Sequence, residues 1–222
     1  MGIAAMGGSV TRSLQGATGV FGGTFDPIHY AHLAVAEAAR EAFDLGRVLF
    51  IPAAQPPHKA DRSIAGADHG LAMVQAAIVG NPGFAISRIE LDRGGPSFTV
   101  ETLASLRAAD TDEHLALILS AESFAELPTW HEPERILELA GVIIVAPRFG
   151  YDEVDGSFLA RKFPNSTAEA VFLDGPRVRL SASEIRERAA AGRSVRYLVP
   201  DAVAAYIGDH GLYQDKRRID RS

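Results

Sequence analysis

Two histidines, His29 and His32, stand three residues apart in the stretch GGTFDPIHYAH over positions 22–32. Residues at that spacing share one face of a helix. The glycine pair Gly22 and Gly23 ends an apolar run, and a helical pattern follows, so both imidazoles fall beside a helix N-terminus. Such an end offers unpaired N–H groups and roughly half a positive charge, a seat for phosphate oxygens. A neutral histidine can donate to a phosphate, and the phosphate in turn favours the protonated ring. Two other readings stand beside this one: a pair of histidines capping a helix or partnered in the core, and zinc, which needs a third ligand that no nearby Cys, Asp-rich or H-E-x-x-H pattern supplies. Gly22 and Gly23 allow close backbone approach to a ligand or simply make a turn. Their spacing fits neither G-x-G-x-x-G nor GxxxxGK[ST].

A second group of the same character lies far along the chain, in LSASEIRERAAAGR at 180–193. Ser181 with Glu184 three residues on forms a capping box, which makes Ser181 to Ser183 another helix start. Ser183 offers a hydroxyl and an amide, and Arg186, one turn inside, is suited to gripping a phosphate with two N–H groups. The alternative is a well-capped surface helix with solvated arginines. His58 and Lys59 end the run QPPHK, where a loop lysine is either solvated or a second phosphate contact. Trp130, the only tryptophan, stands among polar residues in ELPTWHEPERI, placed for ring stacking or for partial burial.

These groups need a scaffold, and the apolar pattern predicts one. Strand-like runs recur at 18–22, 47–51, 84–91, 115–119, 141–146 and 171–173, with helical patterns at 30–44, 66–79, 98–108, 122–139 and 182–191. Such alternation predicts an α/β fold, a Rossmann-like doubly wound, mainly parallel sheet with helices on both faces. Several strands are apolar throughout, as strands covered on both faces are. The Pro-rich loop 52–63 follows the second strand, on the side where open α/β sheets bind ligands, and Pro200 opens a last helix that Gly211 stops. The predicted organisation is a flexible N-terminal arm at 1–16, a single domain at 17–214 and a polar tail at 215–222.

Bulk composition narrows the function. The 222 residues, 47% hydrophobic and 23% charged, suit one globular domain. A formal charge of −6 argues against a nucleic-acid-coating surface, and no run is long enough to span a bilayer. The chain has no cysteine, which removes thiolate chemistry and suits a cytoplasmic location. A homo-oligomer remains open.

Taken together, GGTFDPIHYAH, PPHK, PSFTVETL, LPTW and LSASEIR, in that order between about residues 18 and 213, resemble the bacterial nicotinate-nucleotide adenylyltransferases of the H-x-G-H nucleotidyltransferase superfamily. The resemblance implies transfer of AMP from ATP to nicotinate mononucleotide, giving deamido-NAD and pyrophosphate in NAD biosynthesis, with Mg2+ carried by the ATP phosphates and no protein metal site. It places ATP against Gly22, Gly23, Thr24 and Phe25, with His29, His32 and Arg186 as catalytic residues, and Ser183 on the second phosphate motif. Glu122 falls at a ribose-contacting corner, Lys59 on the loop after the second strand, and Thr99 and Trp130 around the nicotinate end. Three departures stand out: Ala31 replaces the glycine of H-x-G-H, Ser120 and Glu122 turn the usual LGAD into LSAE, and Phe98 replaces a tyrosine. They imply altered nucleotide affinity rather than lost chemistry. The alternatives are the same transfer to nicotinamide mononucleotide or phosphopantetheine, or a non-catalytic nucleotide-binding module.

Overall fold

A computed structural model describes residues 14–56, 65–151 and 154–214. In chain order the elements are β1 (Thr18–Gly23), α1 (Tyr30–Ala42), β2 (Arg47–Pro52), α2 (Ala67–Ile78), β3 (Phe84–Ile86), α3 (Ile89–Arg93), α4 (Thr99–Ala109), β4 (Leu115–Ser120), α5 (Ala121–Glu126), α6 (Pro133–Ala140), β5 (Val142–Ala146), α7 (Phe158–Lys162), β6 (Glu169–Phe172), α8 (Ala182–Ala190) and α9 (Asp201–Asp209). The strands pair in parallel in the order β3-β2-β1-β4-β5-β6. This is the doubly wound order, in which β1 and β4 are neighbours although the chain leaves them toward opposite edges.

The period of two along each strand splits the core into two layers. Val48, Phe50 and Ile144 face one layer with Ala36, Ala39, Met73, Ile185 and Ile207. Leu49, Ile51, Ile143 and Val145 face the other with Leu103, Phe124, Leu137 and Phe158. Each layer holds its own set of helices, so β5 is apolar throughout and β2 and β4 are apolar at every position but one, Arg47 and Ser120 at their ends. That is the doubly covered sheet the sequence predicts.

Three sequence expectations are revised. The run 84–91 is not one strand: β3 ends at Ile86, Ser87 Oγ accepts from the Ile89 amide at 3.3 Å, and α3 begins there. β3 has a partner on one side only, and the buried Glu90 turns inward to accept a 2.6 Å bond from Thr102 Oγ1. The pattern 122–139 is not one helix either. Pro128 sits in a 3-10 turn over Leu127–Thr129, Pro133 opens α6, and Trp130 lies at the break. Finally, Leu14, placed in the arm by sequence, is 8% exposed within the core, and the Gly16 amide bonds the Asp44 carbonyl at 2.8 Å. The fold therefore begins by residue 14. Residues 1–13 of the arm and the tail 215–222 lie outside the described residues.

Candidate active site

The crevice at the carboxyl ends of β1 and β4 is where a sheet of this order binds ligands, and a cleft of about 440 Å³ opens there. Gly22 to Phe25, His29 and His32 line it from the β1–α1 turn, Ser120 and Glu122 from the start of α5, and Ser181, Ser183 and Arg186 from the start of α8. Ala31 and Trp130 reach the same cleft. Two helix N-termini separated by about 150 residues of chain thus meet at one place.

His29 is the N-cap of α1, with φ −147° and ψ 169°, and the helix runs from Tyr30. The two imidazoles stack with ring centres 3.7 Å apart and planes within 15°. The His29 amide donates to His32 Nδ1 at 3.3 Å. A neutral His32 therefore carries its proton on Nε2. His29 is only 4% exposed, and its Nδ1 is buried without a hydrogen-bond partner among the described residues. Burial first, and the nearby Arg148 charge second, push its pKa down to about 4. His29 is neutral at pH 7, and a neutral ring has one N–H with which to donate; the protonated form expected from sequence is opposed by burial. Stacking adds to this, since two imidazolium rings at 3.7 Å would repel.

The depressed value has a sign for stability. The folded chain binds a proton at His29 near pH 4, whereas the unfolded chain binds it near pH 6.5. Stability from this group is complete above about pH 6.5 and is lost as pH falls toward 4. His29→Gln will therefore flatten the acid limb of a denaturant-midpoint curve measured from pH 7 to pH 4. An unchanged slope would show that His29 does not titrate with folding.

Arg186 spans the two helix starts. Its Nη1 donates to the Asp26 carbonyl at 2.7 Å and its Nη2 to Ser183 Oγ at 3.1 Å. Ser181 caps α8 as predicted, its hydroxyl accepting from the Glu184 amide at 3.2 Å. On the other side, α2 packs against the β1–α1 turn so closely that a Cβ on Gly70 would meet the Thr24 carbonyl oxygen at 2.9 Å. Only glycine admits that approach.

Phe25 is among the residues lining the cleft. Its ring is 2% exposed, packed near Phe21, Phe50 and His32 with centres 5.8, 5.7 and 5.3 Å away. Its backbone is left-handed, with φ 45°. Ser120 has a local reason: it is the N-cap of α5 and accepts from the Ser123 amide at 3.1 Å. Glu122 receives Arg148 at 3.5 Å and the Tyr151 hydroxyl at 3.4 Å.

Thr99 is the first residue of α4 and is not among the residues lining the cleft. It lies beside Trp130 only indirectly: Phe98 and His131, their chain neighbours, bring their rings to 4.5 Å. Lys59 and His58 lie outside the described residues. The sequence reading missed Arg148, which follows β5 and lines the cleft. Its position just beyond a strand end on the binding edge of the sheet was the available signal.

Sheet order and cleft together define a doubly wound protein with a ligand site at its switch point, and residues 20–188 match the family model described as cytidylyltransferase-like. A probable nicotinate-nucleotide adenylyltransferase of Thermomicrobium roseum is 48% identical over 196 residues, 88% of this chain and 91% of that protein. The protein of the same name from Roseiflexus castenholzii is 48% identical over 90% of this chain and 99% of its own length. The chain belongs to the nicotinate-nucleotide adenylyltransferase family. The fold is also that of Plasmodium falciparum nicotinic acid mononucleotide adenylyltransferase complexed with APC, with a TM-score of 0.72 at 17% identity over 90% of this chain and 98% of that one.

Proposed function

We propose that this chain transfers the adenylyl group of ATP to nicotinate mononucleotide, releasing pyrophosphate and forming deamido-NAD. The observation that carries the reading is the meeting of the stacked His29–His32 pair and the α8 start, with Arg186 between them, in the cleft at the β1/β4 switch point. The relatives' names supply the acceptor, and a solved neighbour of the same fold is described as complexed with NaAD.

The acceptor's phosphate is ionised at neutral pH, so it needs no general base to attack the α-phosphorus of ATP in line. The bond formed is phosphate oxygen to α-phosphorus; the bond broken joins the α-phosphorus to the bridging oxygen, and the electron pair leaves with pyrophosphate. What remains for the protein is to hold two polyanions together and to stabilise charge on the leaving group. His29 and His32 donate N–H groups, Ser183 and the α8 amides donate to the far phosphate oxygens, and Arg186 supplies fixed charge. Magnesium arrives with ATP as part of the substrate, carried by its phosphates, and the cleft's Glu122 is engaged by Arg148 and Tyr151.

Trp130 suits stacking on the pyridine ring because it lines the cleft half-exposed at the break between α5 and α6. Thr99 and Lys59 remain proposed acceptor contacts. Pyrophosphate release with ATP and each of nicotinate mononucleotide, nicotinamide mononucleotide and phosphopantetheine tests the reading. The expected kcat/KM for the nicotinate acceptor exceeds the others by about a hundredfold. Faster turnover with another acceptor would transfer the assignment to it, and ATP binding without turnover on any would make the chain a binding module.

A further inference from the structure

The end of the chain returns to the phosphate turn. After α9, the segment 210–213 carries Tyr213 to a buried position, 9% exposed, where its hydroxyl donates to Asp26 Oδ1 at 2.5 Å. Asp26 is itself 3% exposed, in the turn between β1 and α1. Its backbone carbonyl is the one that receives Arg186 Nη1 at 2.7 Å. One residue thus accepts Tyr213 through its side chain and Arg186 through its main chain.

One end of this bond sits in costly backbone, and the other lies next to it. Tyr213 has φ 66°, and Phe25, the neighbour of Asp26, has φ 45°. Left-handed conformations at residues other than glycine persist only where their surroundings hold them, and they gather at functional sites. Tyr213 is not among the residues that line the cleft. Burial and then the Asp26 bond push its phenol pKa far up, so it remains a hydroxyl donor at every working pH.

We propose that Tyr213 is a positioning residue for the adenylyl transfer: through Asp26 it fixes the carbonyl that orients Arg186, and so sets the phosphate grip from the far end of the chain. The inference rests on the function proposed above. Tyr213→Phe keeps the ring and removes only the hydroxyl. Arg186 grips ATP on binding and is needed most when charge builds on the leaving pyrophosphate, so the loss falls mainly on kcat, about tenfold, with KM for ATP raised by about fivefold and KM for nicotinate mononucleotide within about twofold. A packing role would not divide these constants in this way. Ile207→Val, a change in the buried wall of α9 (Ile207 is 4% exposed), is the control for loosened packing and leaves kcat within about twofold of the unmutated chain.

A double-mutant cycle isolates the route. If Tyr213 acts through Arg186, adding Tyr213→Phe to Arg186→Lys leaves kcat within about twofold of Arg186→Lys alone, whereas independent effects multiply. Linkage supplies a second measurement on the unmutated protein. A residue that favours the ATP-gripping arrangement must be favoured by it in return, so a non-hydrolysable ATP analogue slows amide hydrogen exchange in 206–213 by about fivefold or more.

Exchange in 206–213 unchanged by the analogue overturns the proposal whether or not Tyr213→Phe folds. A folded Tyr213→Phe with kcat within about twofold of the unmutated chain, or multiplicative losses in the cycle, overturns it as well. Failure of the underlying function would look different: the unmutated chain itself would release no pyrophosphate with ATP and nicotinate mononucleotide.

Discussion

His29→Ala and His32→Ala will each lower kcat by about 10²- to 10³-fold, the usual loss when one preorganised donor to developing charge is removed. KM for ATP will change less, because contacts that strengthen only as the leaving group departs act on kcat and not on binding. The two substitutions fail for different reasons. His29 is buried, and about 4 is the pKa at which it would charge, so its loss removes a neutral donor held in a dry wall. His32 is half-buried, accepts the His29 amide and stacks on the His29 ring, so its loss also frees the cap of α1. His32→Ala should therefore lower the melting point more in proportion to its exposure than His29→Ala does. Combining them should cost less than the product of the single losses, since stacked residues of one unit are not additive. Near-normal turnover in both single variants, on protein with an unchanged circular dichroism spectrum, would remove the imidazoles from the reaction.

Much of this arrangement was legible because its signals are local. A glycine pair after an apolar run, two histidines at helical spacing and a capping box each state their element within a few residues, and the α8 cap at Ser181 follows that reading. Doubly covered strands also announce themselves, because β2, β4 and β5 have no polar face to show. What sequence could not give are the long-range relations. Asp26 and Tyr213 are 187 residues apart, and neither residue type alone implies a buried bond. Gly70 reads as an unfavourable residue inside a helix, and only the Thr24 carbonyl against it supplies the reason. Residues 84–91 misled because periodicity cannot tell a short strand followed by a helical turn from one longer apolar strand; burial of Glu90 against Thr102 decides it. Arg148 escaped notice because a single arginine after a strand carries no pattern, although its charge reaches His29.

Arg186→Ala will lower kcat/KM for ATP by about 10²- to 10³-fold, and Arg186→Lys will recover less than about tenfold of that loss. The guanidinium has five N–H donors. The Asp26 carbonyl and Ser183 Oγ use one on Nη1 and one on Nη2, which leaves three for phosphate oxygens. Lysine restores the charge but has three donors at a single point, and it cannot hold the two helix starts together while also reaching a phosphate. The alanine variant should be less stable by about 1–3 kcal/mol, because the exposed Ser183 hydroxyl can turn to water whereas the carbonyl of the buried Asp26 loses its partner. Activity and stability therefore separate. If Arg186→Lys instead matches the unmutated enzyme across ionic strength, a diffuse positive charge suffices and the forked bridge between α1 and α8 has no part in catalysis. If both variants lose activity equally while thermal stability collapses, the arginine is a structural clasp, and the grip on the phosphates must come from the imidazoles and helix amides alone.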